Sequence, residues 1–168
     1  MRRWIVLALF LVFVLGAGMG MGYLASLTDW YATLAKPAFA PPDWVFAPVW
    51  SVMYVLIAVA GWRTFERDKL GKSMRLWVGQ MLVNLTWPVV FFGFQDTYRS
   101  LILIVLTTAL VLWYTIENWS RDRIAAYLFT PYTLWMLYAT ALNAAVWLMN
   151  RAAETTPLFG DQPPLFGG

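Results

Sequence analysis

Five stretches of this chain contain no Asp, Glu, Lys or Arg: 4–28, 44–62, 76–95, 100–116 and 124–150. A bilayer-crossing helix needs roughly 20 apolar residues, so five spans fit, the fourth being the shortest. A soluble reading would require helices with polar faces, which these runs lack. Only 12% of the residues are charged and 61% are hydrophobic, where an ordinary soluble domain is about 25% charged. The expected fold is an all-α integral membrane protein, a five-transmembrane-helix bundle. Its spans are expected at about 4–26, 43–63, 75–95, 97–117 and 123–149, in one domain covering 1–151. The Gly- and Pro-rich segment 152–168 is expected to be a disordered tail.

The first run follows Arg2 and Arg3 and passes into small residues from Gly16 to Gly22, as a signal peptide does. Its length of about 25 residues favours a retained span. Gly16/Gly20 and Gly18/Gly22 are overlapping small-residue pairs, suited either to a homodimer contact or to tight packing within one chain.

Charge sets the orientation. Arg2, Arg3, Arg63, Arg67, Lys69, Lys72, Arg75, Arg121 and Arg123 fall on one side of a five-span chain, and Lys36, Arg99 and Arg151 on the other. The positive-inside bias then predicts a cytoplasmic N-terminus and an external C-terminus; the expected location, which charge alone does not give, is a bacterial cell envelope. The net charge of +3 is too small and scattered for a nucleic-acid partner. There is no His and no Cys, which excludes imidazole bases, thiolate nucleophiles and disulfides, and no metal site is expected. No ionisable residue lies deep in a span, so no proton relay is visible. At the helix edges, Asp43 is placed to cap the second span, Asp96 or Thr97 the fourth, and Glu117 precedes Arg121 by one turn.

The longest external loop runs from Trp30 through Pro42 and contains Pro37, Pro41 and Pro42, which block regular helix and make it a stiff cap. Its Trp30, Tyr31 and Phe39 suit either interfacial anchoring or the cap itself. In span three, Gln80, Asn84, Trp87 and Phe91 recur at helical spacing and share one face, which must point into the bundle because amides on lipid are costly. Pro88 is expected to kink this helix near its middle. At about 1.5 Å per residue, Trp50, Trp87 and Asn143 lie roughly 10–12 Å below the external helix ends, with Asn84, Tyr138 and Trp135 deeper. Aromatic walls with a few amides suit a cavity for a flat, mostly apolar molecule; plain packing and interhelical hydrogen bonding are the structural alternative.

The loop Trp30-Tyr31-x-x-Leu34-x-Lys36-Pro37-x-Phe39-x-Pro41-Pro42, then Trp50 with Tyr54, then Gln80-x-x-x-Asn84-x-x-Trp87-Pro88-x-x-Phe91-Phe92, then Pro131-Tyr132-x-x-Trp135 and Leu142-Asn143, resembles the tryptophan-rich sensory protein, or translocator protein, family (TspO/MBR), over residues 29–150. The resemblance implies a five-helix bundle, commonly dimeric, that binds tetrapyrroles such as protoporphyrin IX and isoquinoline-carboxamide or benzodiazepine ligands. It also implies a pocket under the first loop lined by Tyr31, Trp50, Tyr54, Asn84, Trp87, Trp135 and Tyr138. Gln80, Phe91 and Asn143 join this ligand-binding set from the helical reading. Phe39 replaces a Trp common in the family, and Ala144 replaces the Tyr of the animal sterol motif, so cholesterol binding is not expected.

The expected function is a membrane receptor, sensor or carrier for tetrapyrroles. Its partners are the lipid bilayer, the ligand and a second copy of the chain. No cofactor is required, and porphyrin or haem enters as ligand. Without His or Cys, metal-free porphyrin should bind better than haem unless a Tyr or Met supplies an axial bond. A light-dependent porphyrin-degrading enzyme using Trp50 and Trp135 is the first alternative. A secondary transporter is the second, although five spans do not divide into equal repeats.

Overall fold

The computed structural model describes residues 1–154, the side chains of 152–154 excepted. Helix α1 (Arg2–Ser26) leads through a single turn, α2 (Trp30–Thr33), into an extended Pro-rich loop and a 3-10 turn (Asp43–Val45). From there α3 (Phe46–Arg67), α4 (Lys72–Pro88), α5 (Thr97–Arg121) and α6 (Arg123–Glu154) follow with short connections. Among the described residues, Arg2–Ser26, Asp43–Arg67, Lys72–Gly93 and Thr97–Arg121 are long and apolar enough to cross a membrane. The fifth expected span corresponds to α6, which does not join those four. It is the longest helix at 32 residues, yet its Tyr, Thr, Trp and Asn content dilutes its hydropathy. Most of the segment 152–168 lies outside the described residues, and α6 runs past the expected boundary to Glu154.

The long helices close a ring in the order α1, α3, α6, α5, α4, with α5 against α6 the most extensive contact and α1 against α4 among the lightest. Two ends result. One holds the N-terminus and the α3–α4 and α5–α6 connections, tied by Trp62 Nε1 donating to the Arg3 carbonyl at 3.1 Å and by Lys72 pairing with Glu117 at 2.7 Å. The other holds the Pro-rich loop, pinned to the last turns of α6 where Asn150 bonds both the N–H and the carbonyl of Ala35 at 3.0 Å. We call these the basic end and the lid end.

Hydroxyl pairs join the helices. Thr108–Thr140 and Thr115–Thr133 link α5 to α6 at 2.8 and 2.9 Å, and Tyr114 of α5 reaches Thr64 of α3 at 2.6 Å. Such contacts contribute about 0.6 kcal/mol each on average in membrane proteins. Trp77 Nε1 donates to the Ile57 carbonyl at 2.9 Å, and its ring lies against Gly61, where a Cβ would meet it at 2.3 Å.

The glycines of α1 divide in function. A Cβ on Gly18 would come within 2.2 Å of the Tyr54 ring, whereas one on Gly16, Gly20 or Gly22 would meet no other part of the described residues within 4 Å. Gly18 therefore sets the approach of α1 to α3. Gly18→Ala is expected to cost about 1–3 kcal/mol through overpacking, while Gly16→Ala stays within about 0.5 kcal/mol. Thermal unfolding of the two variants in detergent checks the difference.

Two local expectations need correction. Pro88 does not interrupt the middle of its helix: α-geometry continues through it, and the disruption follows as a π-turn over Val89–Gly93. Pro88 has no N–H for the carbonyl one turn earlier, and the widened turn re-registers the chain before Gln95, at φ 55°, ends it. Asp43 caps nothing; it stands 3.6 Å from Lys36 Nζ, a pair within the lid. Asp96 does cap α5, accepting from the Arg99 N–H at 2.7 Å, and Glu117 pairs with Arg121 at 2.7 Å.

Candidate functional site

Beneath the lid the aromatic side chains form one continuous series. Phe39 of the loop lies 6.3 Å from Tyr138 between ring centroids, Tyr138 lies 5.3 Å from Trp135, and Trp135 lies 6.0 Å from Phe46. Phe46 continues to Tyr31 at 6.4 Å, Tyr31 to Phe91 at 6.0 Å, and Phe91 stacks on Trp87 at 4.8 Å. Most of these pairs are edge-on or tilted, the arrangement ring quadrupoles favour. The series draws on the lid, α3, α4 with its π-turn, and α6. The π-turn places Phe91 and Phe92 under α2, with Tyr31 6.2 Å from Phe92 and Trp30 5.2 Å from Phe91.

A polar layer lies deeper. Tyr132 of α6 donates to Gln80 Oε1 at 3.1 Å and accepts from Asn84 Nδ2, so one hydroxyl joins both amides of α4. Gln80 and Asn84 are 0% and 5% exposed. Trp50 roofs this layer, 5.3 Å from Tyr54 and 6.3 Å from Tyr132. Asn143 accepts from Trp87 Nε1 at 3.2 Å and donates to the Ala139 carbonyl at 3.0 Å, which makes it a support for the indole. Trp87 packs against both the deep core and the cluster under the lid, and so connects them.

All ten residues named from the sequence thus fall in two adjoining groups. Tyr31, Trp87, Phe91, Trp135, Tyr138 and Asn143 lie under the lid, and Trp50, Tyr54, Gln80 and Asn84 lie beside Tyr132. Tyr132, Phe46 and Asn150 stand outside that set of ten. Tyr132 belongs to the Pro131-Tyr132-x-x-Trp135 motif, but its role comes from its position opposite Gln80 and Asn84. Phe46 looks like the first apolar residue of a span, and Asn150 like its last polar edge.

The lid is held by few bonds. Tyr138 Oη donates to the Phe39 carbonyl at 2.9 Å, Asn150 holds Ala35, and the Lys36 ammonium sits 3.9 Å from the centre of the Tyr31 ring. Burial, with smaller contributions from Asp43 and Tyr138, pushes the Tyr31 phenol up to about 12, so it stays a neutral donor at physiological pH. Three buried polar atoms of the site have no hydrogen-bond partner among the described residues: Tyr31 Oη, Gln80 Nε2 and Trp135 Nε1. Buried polar groups are nearly always satisfied, and three exceptions in one site need a cause. No group of His, Cys, Asp or Glu able to hold a metal ion occurs among the described residues.

A ring of apolar helices with an aromatic, amide-floored site at one end defines a helical integral membrane protein. Its residues 8–148 match the model of the TspO/MBR family, and the chain belongs to that family. It is 32% identical over 133 residues to Protein CrtK of Rhodobacter capsulatus, covering 77% of this chain and 83% of that protein. A tryptophan-rich protein TspO of Archaeoglobus fulgidus is 35% identical over 128 residues, 74% of this chain and 82% of its own. The translocator protein of Homo sapiens is 31% identical over 126 residues, 72% and 75% respectively.

Proposed function

We propose that the chain is a receptor, sensor or carrier that takes a tetrapyrrole of the protoporphyrin IX kind, or a flat isoquinoline-carboxamide-like molecule, into the aromatic site under the lid. The observation that carries this reading is the coincidence of a continuous aromatic wall with unpartnered buried Tyr31 Oη, Gln80 Nε2 and Trp135 Nε1. Rings supply stacking surface, and the free N–H and O–H groups suit the carbonyl or carboxylate edge of such a ligand. The names borne by relatives, translocator protein and tryptophan-rich sensory protein, fit a binding role.

In this structure the rings rest on one another, and the open clefts described lie at the basic end. Entry then requires the lid to lift, breaking the Tyr138–Phe39 and Asn150–Ala35 bonds. Titration with protoporphyrin IX should give saturable quenching of tryptophan fluorescence. Haem should bind no more tightly, since the chain offers it neither His nor Cys as an axial ligand. Quenching that is linear and unsaturable would refute the reading.

The same proposal includes α6 as the fifth span. It carries no charge between 124 and 150, a length of roughly 40 Å, and its contacts run from Asp122 at the basic end to Asn150 at the lid. The nine Lys and Arg at the basic end support a cytoplasmic location for that end and an external C-terminus. A second copy packs on α1, where Gly16 and Gly20 leave an open groove. Light scattering in detergent should report a dimer that Gly16→Leu with Gly20→Leu reduces to a monomer.

A further inference from the structure

The basic end holds a cleft of about 480 Å³ that the ligand site does not involve, lined by Arg3, Trp62, Arg63, Glu66, Arg67, Arg121 and Asp122. Four guanidinium groups face two carboxylates there, and the two acids are differently disposed. Asp122 is turned inward, its side chain 11% exposed, and is bound in a two-bond pair by Arg63 at 3.0 and 3.1 Å. Arg67 takes the Asn118 oxygen at 2.9 Å and stands 3.8 Å from the same aspartate. The side chains of Arg63 and Arg67 remain 31% and 29% exposed where that of Asp122 is 11%, so the two cations are more open to the cleft than the carboxylate they share.

Arg3 makes no ion pair among the described residues. Its guanidinium lies 5.1 Å from the Trp4 ring and 5.8 Å from the Trp62 ring, and those indoles stack on each other at 6.0 Å. The cation is thus held at the mouth by two rings with its donors unspent. A guanidinium in that state is suited to a phosphate, which it can grip through two parallel hydrogen bonds. Just beyond Arg3, the outward side of α1 presents Ile5 and Leu9, both more than half exposed, along the direction in which lipid tails would run.

We infer that this cleft binds the phosphate of an anionic phospholipid headgroup. Arg3, Arg63 and Arg67 contact the phosphate, Trp4 and Trp62 mark the interface level, and the acyl chains run beside Ile5 and Leu9, short of the groove at Gly16 and Gly20. Glu66 is the one carboxylate in the cleft without an ion pair among the described residues, and it limits the affinity by repulsion.

Native mass spectrometry of the purified, delipidated full chain tests this with phosphatidylglycerol against phosphatidylcholine. Phosphatidylglycerol should be retained preferentially. Arg3→Gln should lower that preference about fivefold, the equivalent of about 1 kcal/mol per basic group at an anionic surface. Glu66→Gln should raise it. A folding defect in the arginine variant cannot mimic the pair, because the two substitutions act in opposite directions on one readout. Equal retention of the two lipids by the unmodified chain overturns the inference, as does a preference unchanged in both variants. Displacement of the bound lipid by millimolar inorganic phosphate would overturn the lipid assignment in favour of a soluble phosphate.

Discussion

Replacing Trp50 and Trp135 together by Ala is expected to weaken protoporphyrin IX binding by about tenfold or more. Each indole stands in a ring series, Trp50 against Tyr54 and Tyr132, and Trp135 between Phe46 and Tyr138. An aromatic contact contributes about 0.5–1.5 kcal/mol beyond the area it buries, so losing two costs about 1–3 kcal/mol. The Trp135 substitution also removes an unpartnered N–H from the site. Trp50→Phe with Trp135→Phe restores the rings without the N–H groups and should recover most of the affinity. Trp113→Ala on α5, at a position 51% exposed and facing outward, should leave binding unchanged. Fluorescence titration of the three variants beside the unmodified chain decides the matter. Equal dissociation constants for the unmodified chain and the double Ala variant would sink the proposed site.

Asp122→Ala should destabilise the bundle by about 2 kcal/mol. Roughly 1 kcal/mol of this is a lost helix cap, since the carboxylate accepts from the N–H groups of Ile124 and Ala125 at 3.1 and 3.2 Å and starts α6. The rest comes from Arg63 and Arg67 losing their shared anion, reduced to about 1 kcal/mol because both arginine side chains are partly in water. Asp122→Asn keeps a capping oxygen and should lose about half as much as Ala.

The same residue gives the stability an acid limb. Burial alone would raise the Asp122 carboxyl, but hydrogen bonds from Arg63 and the Ala125 N–H and the charges of Arg63 and Arg67 outweigh it and hold it below the usual carboxylate range. Its contribution is therefore complete above the unfolded value of about 3.9. It is lost as pH falls through the lower folded value. Melting temperatures in detergent between neutral pH and about pH 3 should fall less for Asp122→Asn than for the unmodified chain. Parallel curves would show that the aspartate carries no pH-dependent stability.

Much of this protein is legible along the chain. The charge-free runs mark α1, α3, α4 and α5, because the cost of a charge in hydrocarbon is a property of each residue. The spacing of Gln80 and Asn84 identifies an inward face, and both are buried. Other features were not legible. Four glycines at even intervals in α1 look alike, yet Gly18 alone meets a side chain of another helix, and Gly61, in no such pattern, is as crowded. Asp122 reads as an ordinary acid between helices until Arg63 and Arg67 are seen to converge on it. Tyr132 gains its role from two amides about fifty residues away.

The sequence by itself determined that the chain is helical, that it lies in a membrane, and which end of the bundle is basic. These follow from transfer energies and charges that accumulate residue by residue. Only the tertiary structure decided which glycine seats α1, which tyrosine holds the amides of α4, and which rings form a series under the lid. Those depend on packing and hydrogen bonds between residues far apart in the chain, whose partners no local pattern specifies.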